Sequence, residues 1–223
     1  MKIGNLNSVL EIGVESLKNI INVIKTSEEL DTALLKKENT ALVIVDMVNG
    51  FAKKGNLMSS RINDIIPSVL KTTNICHERG FKILAFNDEH SLNSIEFKEY
   101  PIHCLKDTWE SELIDELKEF KDIKIIGKNS INGFMEEEFK SWMNLNTNVN
   151  NFIVVGDCTD LCIMQFVITL KSYFNKKNEE SHIFIPLDSI ETFDSTEHNG
   201  ELMNIFSIYN MRINGVQIVS NIK

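Results

Sequence analysis

An α/β fold, arranged as a three-layer α/β/α sandwich around a mostly parallel, doubly wound sheet, is predicted by three features of this sequence. Ala41–Val45 (Ala-Leu-Val-Ile-Val) and Phe152–Val155 (Phe-Ile-Val-Val) are continuous apolar runs, the pattern of strands covered on both faces. Shorter runs recur at Lys82–Phe86, Ile123–Ile126 and Ile183–Ile185, and segments with helical spacing lie between them. Such alternation implies strand–helix–strand units and therefore parallel pairing. No stretch reads as a linker long enough to divide the chain, and 223 residues suffice for one sizeable core.

In chain order, Val9, Leu10, Ile12, Val14, Leu17, Ile20, Ile21 and Ile24 recur near helical spacing. Residues 1–38 therefore read as an N-terminal helical extension of one or two amphipathic helices, with Ser27 and Glu29 opening a second turn of pattern. This extension is expected to pack on the sheet or on a neighbouring subunit, which makes a homo-oligomer the expectation. Residues 39–223 form the main domain, whose first strand, Ala41–Val45, stops abruptly at Asp46. Ile62–Arg79 has helical spacing, with Pro67 interrupting it near the start and Gly80 as its natural stop. Trp109–Phe120 and Glu136–Met143 read as two more helices. Phe152–Val155 leads through Gly156 into a helix from about Leu161 to Asn175, and Ile183–Ile185 and Gln217–Val219 supply the last strands.

Composition narrows the class of function. The chain is 43% hydrophobic and 25% charged, in the range of a compact soluble enzyme. Its formal charge of −9 argues against a nucleic-acid partner, which would need a basic face. No apolar stretch approaches a membrane span and the N-terminus lacks the apolar core of a signal peptide, so a cytoplasmic protein is expected. Four cysteines in a chain of this length make no disulfide framework, and the Cys158–Cys162 spacing is not that of a Cys-x-x-Cys redox pair.

The candidate chemistry sits where the apolar runs stop. In an open parallel sheet, ligands bind outside the carboxyl ends of the strands, so residues just past each run can converge from far apart in sequence. Asp46, Lys128 and Cys162 occupy such positions. A carboxylate can take a thiol proton, and an ammonium favours both the carboxylate and the thiolate. Cys162 falls at the start of a helix, where the dipole and free N–H groups also favour the thiolate. Taken singly, Asp46 could cap a turn, Lys128 could be a solvated loop residue and Cys162 a small buried hydrophobe. A second group follows the run Lys82–Phe86: Asp88 and His90 point to one side of an extended chain, and Glu96 and His103 flank Tyr100-Pro101. These are either ordinary loop side chains or a set of two imidazoles and two carboxylates suited to zinc, manganese or ferrous iron, with positions left open for water or ligand.

Val45-Asp46-Met47-Val48-Asn49-Gly50-Phe51, then Gly127-Lys128, then Gly156-Asp157-Cys158-Thr159-Asp160-Leu161-Cys162 resemble, in order and separation, the isochorismatase-like cysteine hydrolases, and among them the nicotinamidases. The Gly-x-x-Thr-Asp-x-Cys signature is the specific part; the likeness runs from about Ala41 to the C-terminus. It implies a catalytic triad of Asp46, Lys128 and Cys162, an oxyanion hole from the backbone N–H groups of Cys158 and Cys162, and a cis peptide at Asp157-Cys158. It also implies a metal held by Asp88, His90, His103 and Glu96, zinc first among the candidates, that binds a pyridine nitrogen. Phe51, Tyr100 and Phe134 are the expected aromatic walls. The implied reaction is cleavage of a small-molecule amide, nicotinamide, to nicotinate and ammonia through a cysteine thioester. A metal-independent amidase for ureido or carbamoyl substrates is the alternative within the fold, and a non-catalytic binding or regulatory domain the alternative from another class. Two positions depart from the common pattern: Val48, where relatives often carry Gln, and Asp157, where an aliphatic residue is usual. His198, in the later stretch near Asp188-Ser189, is expected to brace a loop.

Overall fold

The computed structural model describes residues 4–223. Seven strands, β1 (Thr40–Val45), β2 (Lys82–Asp88), β3 (Lys124–Lys128), β4 (Asn151–Asp157), β5 (His182–Pro186), β6 (Ile190–Glu191) and β7 (Gln217–Val219), form one sheet with every ladder parallel. Their spatial order is β3-β2-β1-β4-β5-β7, and the short β6 takes over beside β4 at Gly156–Asp157, past the point where β5 pairing ends. The winding direction reverses between β1 and β4, which opens a crevice at their carboxyl ends.

Among the described residues seven α-helices accompany the sheet: α1 (Leu6–Lys25), α2 (Asn49–Ala52), α3 (Ser60–Asp64), α4 (Ile66–Glu78), α5 (Glu137–Leu145), α6 (Met164–Lys177) and α7 (Gly200–Ile213). Side chains alternate along β1, so Ala41, Val43 and Val45 face Phe139 of α5 and Phe166 and Leu170 of α6, while Leu42 and Ile44 face Ile66 and Val69 of α4. Both sets are buried, and that is why β1 reads as an unbroken apolar run rather than an alternating one. Each valine, leucine and isoleucine among them contributes about 1.5–3 kcal/mol on burial, enough to fix the register.

Several elements differ from the sequence expectation, each for an identifiable reason. Trp109–Phe120 is not a helix; only Trp109–Ser111 makes a 3₁₀ turn. Its backbone is drawn onto the loop after β1 instead: the Ile114 N–H donates to Met47 O at 3.0 Å, the Asn49 N–H to Glu112 O at 2.9 Å, and Val48 bridges Leu113. The pattern at Ser27 and Glu29 opens no second helix, because Leu30 pairs with Ile222 through bonds to Asn221 O and from Lys223 N. The helix expected over Ile62–Arg79 is split at Ile65, with Pro67 in the first turn of α4, where its missing N–H costs nothing. The helix expected from Leu161 begins as a π turn over Thr159–Ile163, continues as α6, and ends on Asn178 in left-handed conformation. β6 and α7 have no counterpart in the sequence reading. The helix α1 buries none of its residues and rests against α7.

One glycine controls the crevice. Gly156 has φ +114° and lies against β1, where an added Cβ would meet Val45 O at 2.0 Å. Gly156→Ala is expected to lower the unfolding free energy by about 3 kcal/mol or more, since both the conformation and the space exclude a side chain. Urea unfolding measures this; a loss under about 1 kcal/mol would show that the β1–β4 contact yields without cost.

Candidate active site

Asp46, the residue after β1, still donates its N–H to Phe86 O at 2.9 Å, but its φ of 54° turns the chain out of the sheet. A left-handed aspartate at a strand end is the kind of strained position that clusters at functional sites. Lys128 is the last residue of β3 rather than a loop residue, in register with Asp88 of β2. Its Nζ lies 2.9 Å from Asp46 Oδ2 and 2.6 Å from Asp88 Oδ1, and all three side chains are at most 3% exposed. One buried ammonium thus holds two buried carboxylates. Burial would push the lysine down, but Asp46 and Asp88 hold it well above its ordinary value. Burial raises Asp46 to about 6 against the pull of Lys128, which leaves it an anion near neutrality with useful proton affinity.

The half-buried Cys162 thiol interacts with the Asp46 carboxylate and with the Lys128 charge, so the three side chains named from strand ends meet in one place. Its state differs from the sequence expectation. Burial pushes the thiol well above its usual range, Lys128 opposes, and Asp46 and Asp88 push it further up. Cys162 therefore rests protonated beside a base, rather than as a thiolate held by the helix end. Within the same turn, Leu161 and Ile163 donate N–H bonds to Cys158 O at 3.1 Å, and the Asp157–Cys158 peptide is cis.

Asp88 joins this cluster to a second one. Its Oδ1 is on Lys128, and its Oδ2 lies 3.0 Å from both His90 Nε2 and His103 Nε2. The His103 Nδ1–H donates to Pro101 O at 2.7 Å, an oxygen that can only accept. Asn129 Oδ1 receives the Ser91 N–H and also faces His90 Nδ1 at 3.2 Å, which makes that nitrogen the donor too. Each ring therefore turns the Nε2 lone pair of its neutral form toward Asp88 Oδ2. Asp88 Oδ2 and His90 Nε2 are buried with no hydrogen-bond partner. Acceptors this close without a proton between them fit a divalent cation, and an outer hydrogen bond on each imidazole is the usual companion of such a site. Glu96, expected as a fourth ligand, stands one step out: its Oε1 is 4.0 Å from His90 Nε2, and the tight group consists of Asp88, His90 and His103. His103→Ala leaves the Lys128 pairs intact and is expected to weaken zinc binding by about 100-fold or more, read as bound metal after dialysis. Undiminished metal content would remove His103 from the ligand set.

Lys128, Asp88, His103 and Glu96 line a pocket of about 540 Å³, together with Phe51, Tyr100, Cys158 and Cys162; Asp46 and His90 lie behind this lining. Phe134, expected as a third wall, is not part of it. Its ring packs on Phe139 at 5.6 Å and Tyr173 at 5.5 Å, against the core on the α5–α6 side. Sequence reading also missed Arg61, Leu161 and Phe193 on the pocket rim. Arg61 is held by both oxygens of Glu191 at 3.0 Å and by Asp194 at 3.2 Å, partners 130 residues away that no local pattern reveals. His198 braces this rim: Nε2 binds Asp160 Oδ2 at 2.7 Å and Nδ1 binds Phe193 O at 2.9 Å.

Residues 40–211 match the family model described as the Isochorismatase domain. The chain belongs to the isochorismatase family. It is 31% identical to Nicotinamidase 1 of Arabidopsis thaliana over 89% of this chain and 93% of that protein, and it is a nicotinamidase-like amidohydrolase of this family. Two solved structures share the isochorismatase fold. The pyrazinamidase of Pyrococcus horikoshii in complex with zinc has a TM-score of 0.67 at 24% identity, covering 81% of this chain and 98% of that one. The N-carbamoylsarcosine amidase of Thermoplasma acidophilum has a TM-score of 0.66 at 21% identity, covering 81% and 95%. As in other α/β folds of doubly wound type, this isochorismatase family member opens its pocket at the point where the strand order reverses.

Proposed function

We propose that the protein hydrolyses nicotinamide to nicotinate and ammonia through a thioester on Cys162. Asp46 takes the thiol proton as the sulfur attacks the carboxamide carbon, since a thiol raised by burial needs a base beside it. The backbone N–H groups of Cys158 and Cys162 receive the developing oxyanion. Asp46 then returns the proton to the departing nitrogen, ammonia leaves, and a water deprotonated by Asp46 cleaves the thioester. Lys128 keeps Asp46 anionic between these transfers and offsets negative charge on the sulfur. A divalent ion held by Asp88, His90 and His103, with Glu96 alongside, would supply a Lewis-acid anchor for the pyridine nitrogen. Phe51 and Tyr100 would bracket the ring. A cytoplasmic setting suits the reading, because all four cysteines are free and the mechanism needs one reduced.

The observation that carries this reading is Asp88, which shares one carboxylate between the catalytic lysine and the two histidines. A metal-independent carbamoyl amidase would have no use for that second arm. Ammonia release from nicotinamide and from N-carbamoylsarcosine, measured on zinc-loaded and chelator-treated protein, tests it. Nicotinamide is expected to be preferred, with turnover lost on chelation and restored by zinc. Preference for the carbamoyl substrate with indifference to chelation would overturn the reading.

A further inference from the structure

Among the described residues Asp157, at the crevice, has no lysine or arginine partner. Asp46, just past the strand to one side, has Lys128, and Glu191, its partner on the strand to the other side, has Arg61. Asp157 is fully buried; its Oδ1 meets only the Cys158 thiol at 3.7 Å, and its Oδ2 has no partner. Yet the residue lines the pocket, as Cys158 and Cys162 do. Burial, reinforced by the charge on Asp46, holds this carboxyl well above the usual carboxylate range. In its protonated form, which burial favours, it has one O–H to donate and one carbonyl oxygen to accept. A buried group of that kind left unpaired is destabilising, and the triad chemistry makes no use of it.

We propose that Asp157, a residue of the pocket lining with an unpaired carboxyl, is specificity-determining: its carboxyl accepts an N–H of the substrate's primary carboxamide and donates its own O–H back to that group. The match is chemical: a carboxylic acid and a primary carboxamide each present one donor and one acceptor side by side. An ester of the same acid has no N–H to offer and leaves the Asp157 carbonyl oxygen without a partner. Sites that hydrogen-bond a substrate group reject the analogue lacking it far more strongly than apolar pockets do.

This rests on the pocket being an amide-hydrolase site, and the experiment keeps the two apart. The kcat and KM of wild type, Asp157→Leu and Asp157→Asn are measured on nicotinamide and on methyl nicotinate. Asp157→Leu keeps the branched shape, adds bulk and removes both hydrogen-bonding functions; Asp157→Asn keeps the size, a donor and an acceptor. Asp157→Leu is expected to lower kcat/KM for the amide by about 10–100-fold while the ester changes by less than about threefold. Asp157→Asn should stay within about threefold of wild type on both. Equal losses on amide and ester, or an amide rate unaffected by leucine, would overturn the assignment. If Asp157→Leu does not fold, Asp157→Ala removes the carboxyl without adding bulk and is read in the same way. A wild type that cleaves a carbamoyl amide in place of nicotinamide would refute the substrate proposed above, and the amide and ester of that acid then carry the comparison for Asp157.

Discussion

Cys162→Ala is expected to lose ammonia release by about 10⁴-fold or more, while its thermal midpoint stays within a few degrees of wild type. The effect is large because no other group lining the pocket can replace the sulfur. Cys158 is its neighbour, but burial pushes that thiol well above its usual range, and its contact is with the Asp157 carboxyl, whose proton affinity burial also raises. Cys158 thus has neither a base to take its proton nor a cation to favour its thiolate. Cys162 has both, in Asp46 and Lys128. The structural cost is small because Cys162 is only half buried and contributes little to the core. The reverse result, activity surviving in Cys162→Ala and vanishing in Cys158→Ala, would assign the thioester to the other sulfur.

How far this site could be read in the sequence follows from how local its causes are. Asp46 and Cys162 were legible because burial on both faces makes β1 and β4 continuous apolar runs, so the residues that end them stand out. Asp88 and His90 were legible through the two-residue repeat of an extended chain, and His103 through its place after Tyr100-Pro101. Lys128 was found although its strand is the sheet's edge, with Ile125 half exposed, because Gly127-Lys128 follows an apolar run. What escaped depends on partners distant in sequence. The segment from Trp109 to Phe120 has helical spacing, yet its N–H and C=O groups bond the loop after β1. The helix α7 carries Leu202, Phe206, Tyr209 and Ile213 exposed as well as Ile208 and Met211 buried, so its apolar residues mark no single face. The strand β6 has two residues and exists because Gly156 and Asp157 extend past β5. Phe134 was misassigned because aromatic character alone does not distinguish a pocket wall from a core wedge.

Lys128→Met should be inactive and less stable by about 3–5 kcal/mol, and yet bind zinc at least as tightly as wild type. The stability loss follows from burial: removing the ammonium leaves Asp46 and Asp88 side chains, both nearly inaccessible to water, without their shared cation. For a chain of 223 residues this corresponds to a thermal midpoint lower by roughly 10 °C. The metal prediction separates an electrostatic role from simple collapse. Asp88 divides its carboxylate between Lys128 and the two histidines, so a positive charge on one oxygen opposes a second on the other. Deleting the first strengthens the hold on the second, whereas local unfolding would lose metal and activity together. Asp46→Asn added to Lys128→Met removes one of the two stranded charges and should recover about 1–3 kcal/mol of stability with no recovery of turnover. Recovery of neither, together with weakened zinc binding, would mean that Lys128 maintains the packing of the strand ends rather than their charge balance.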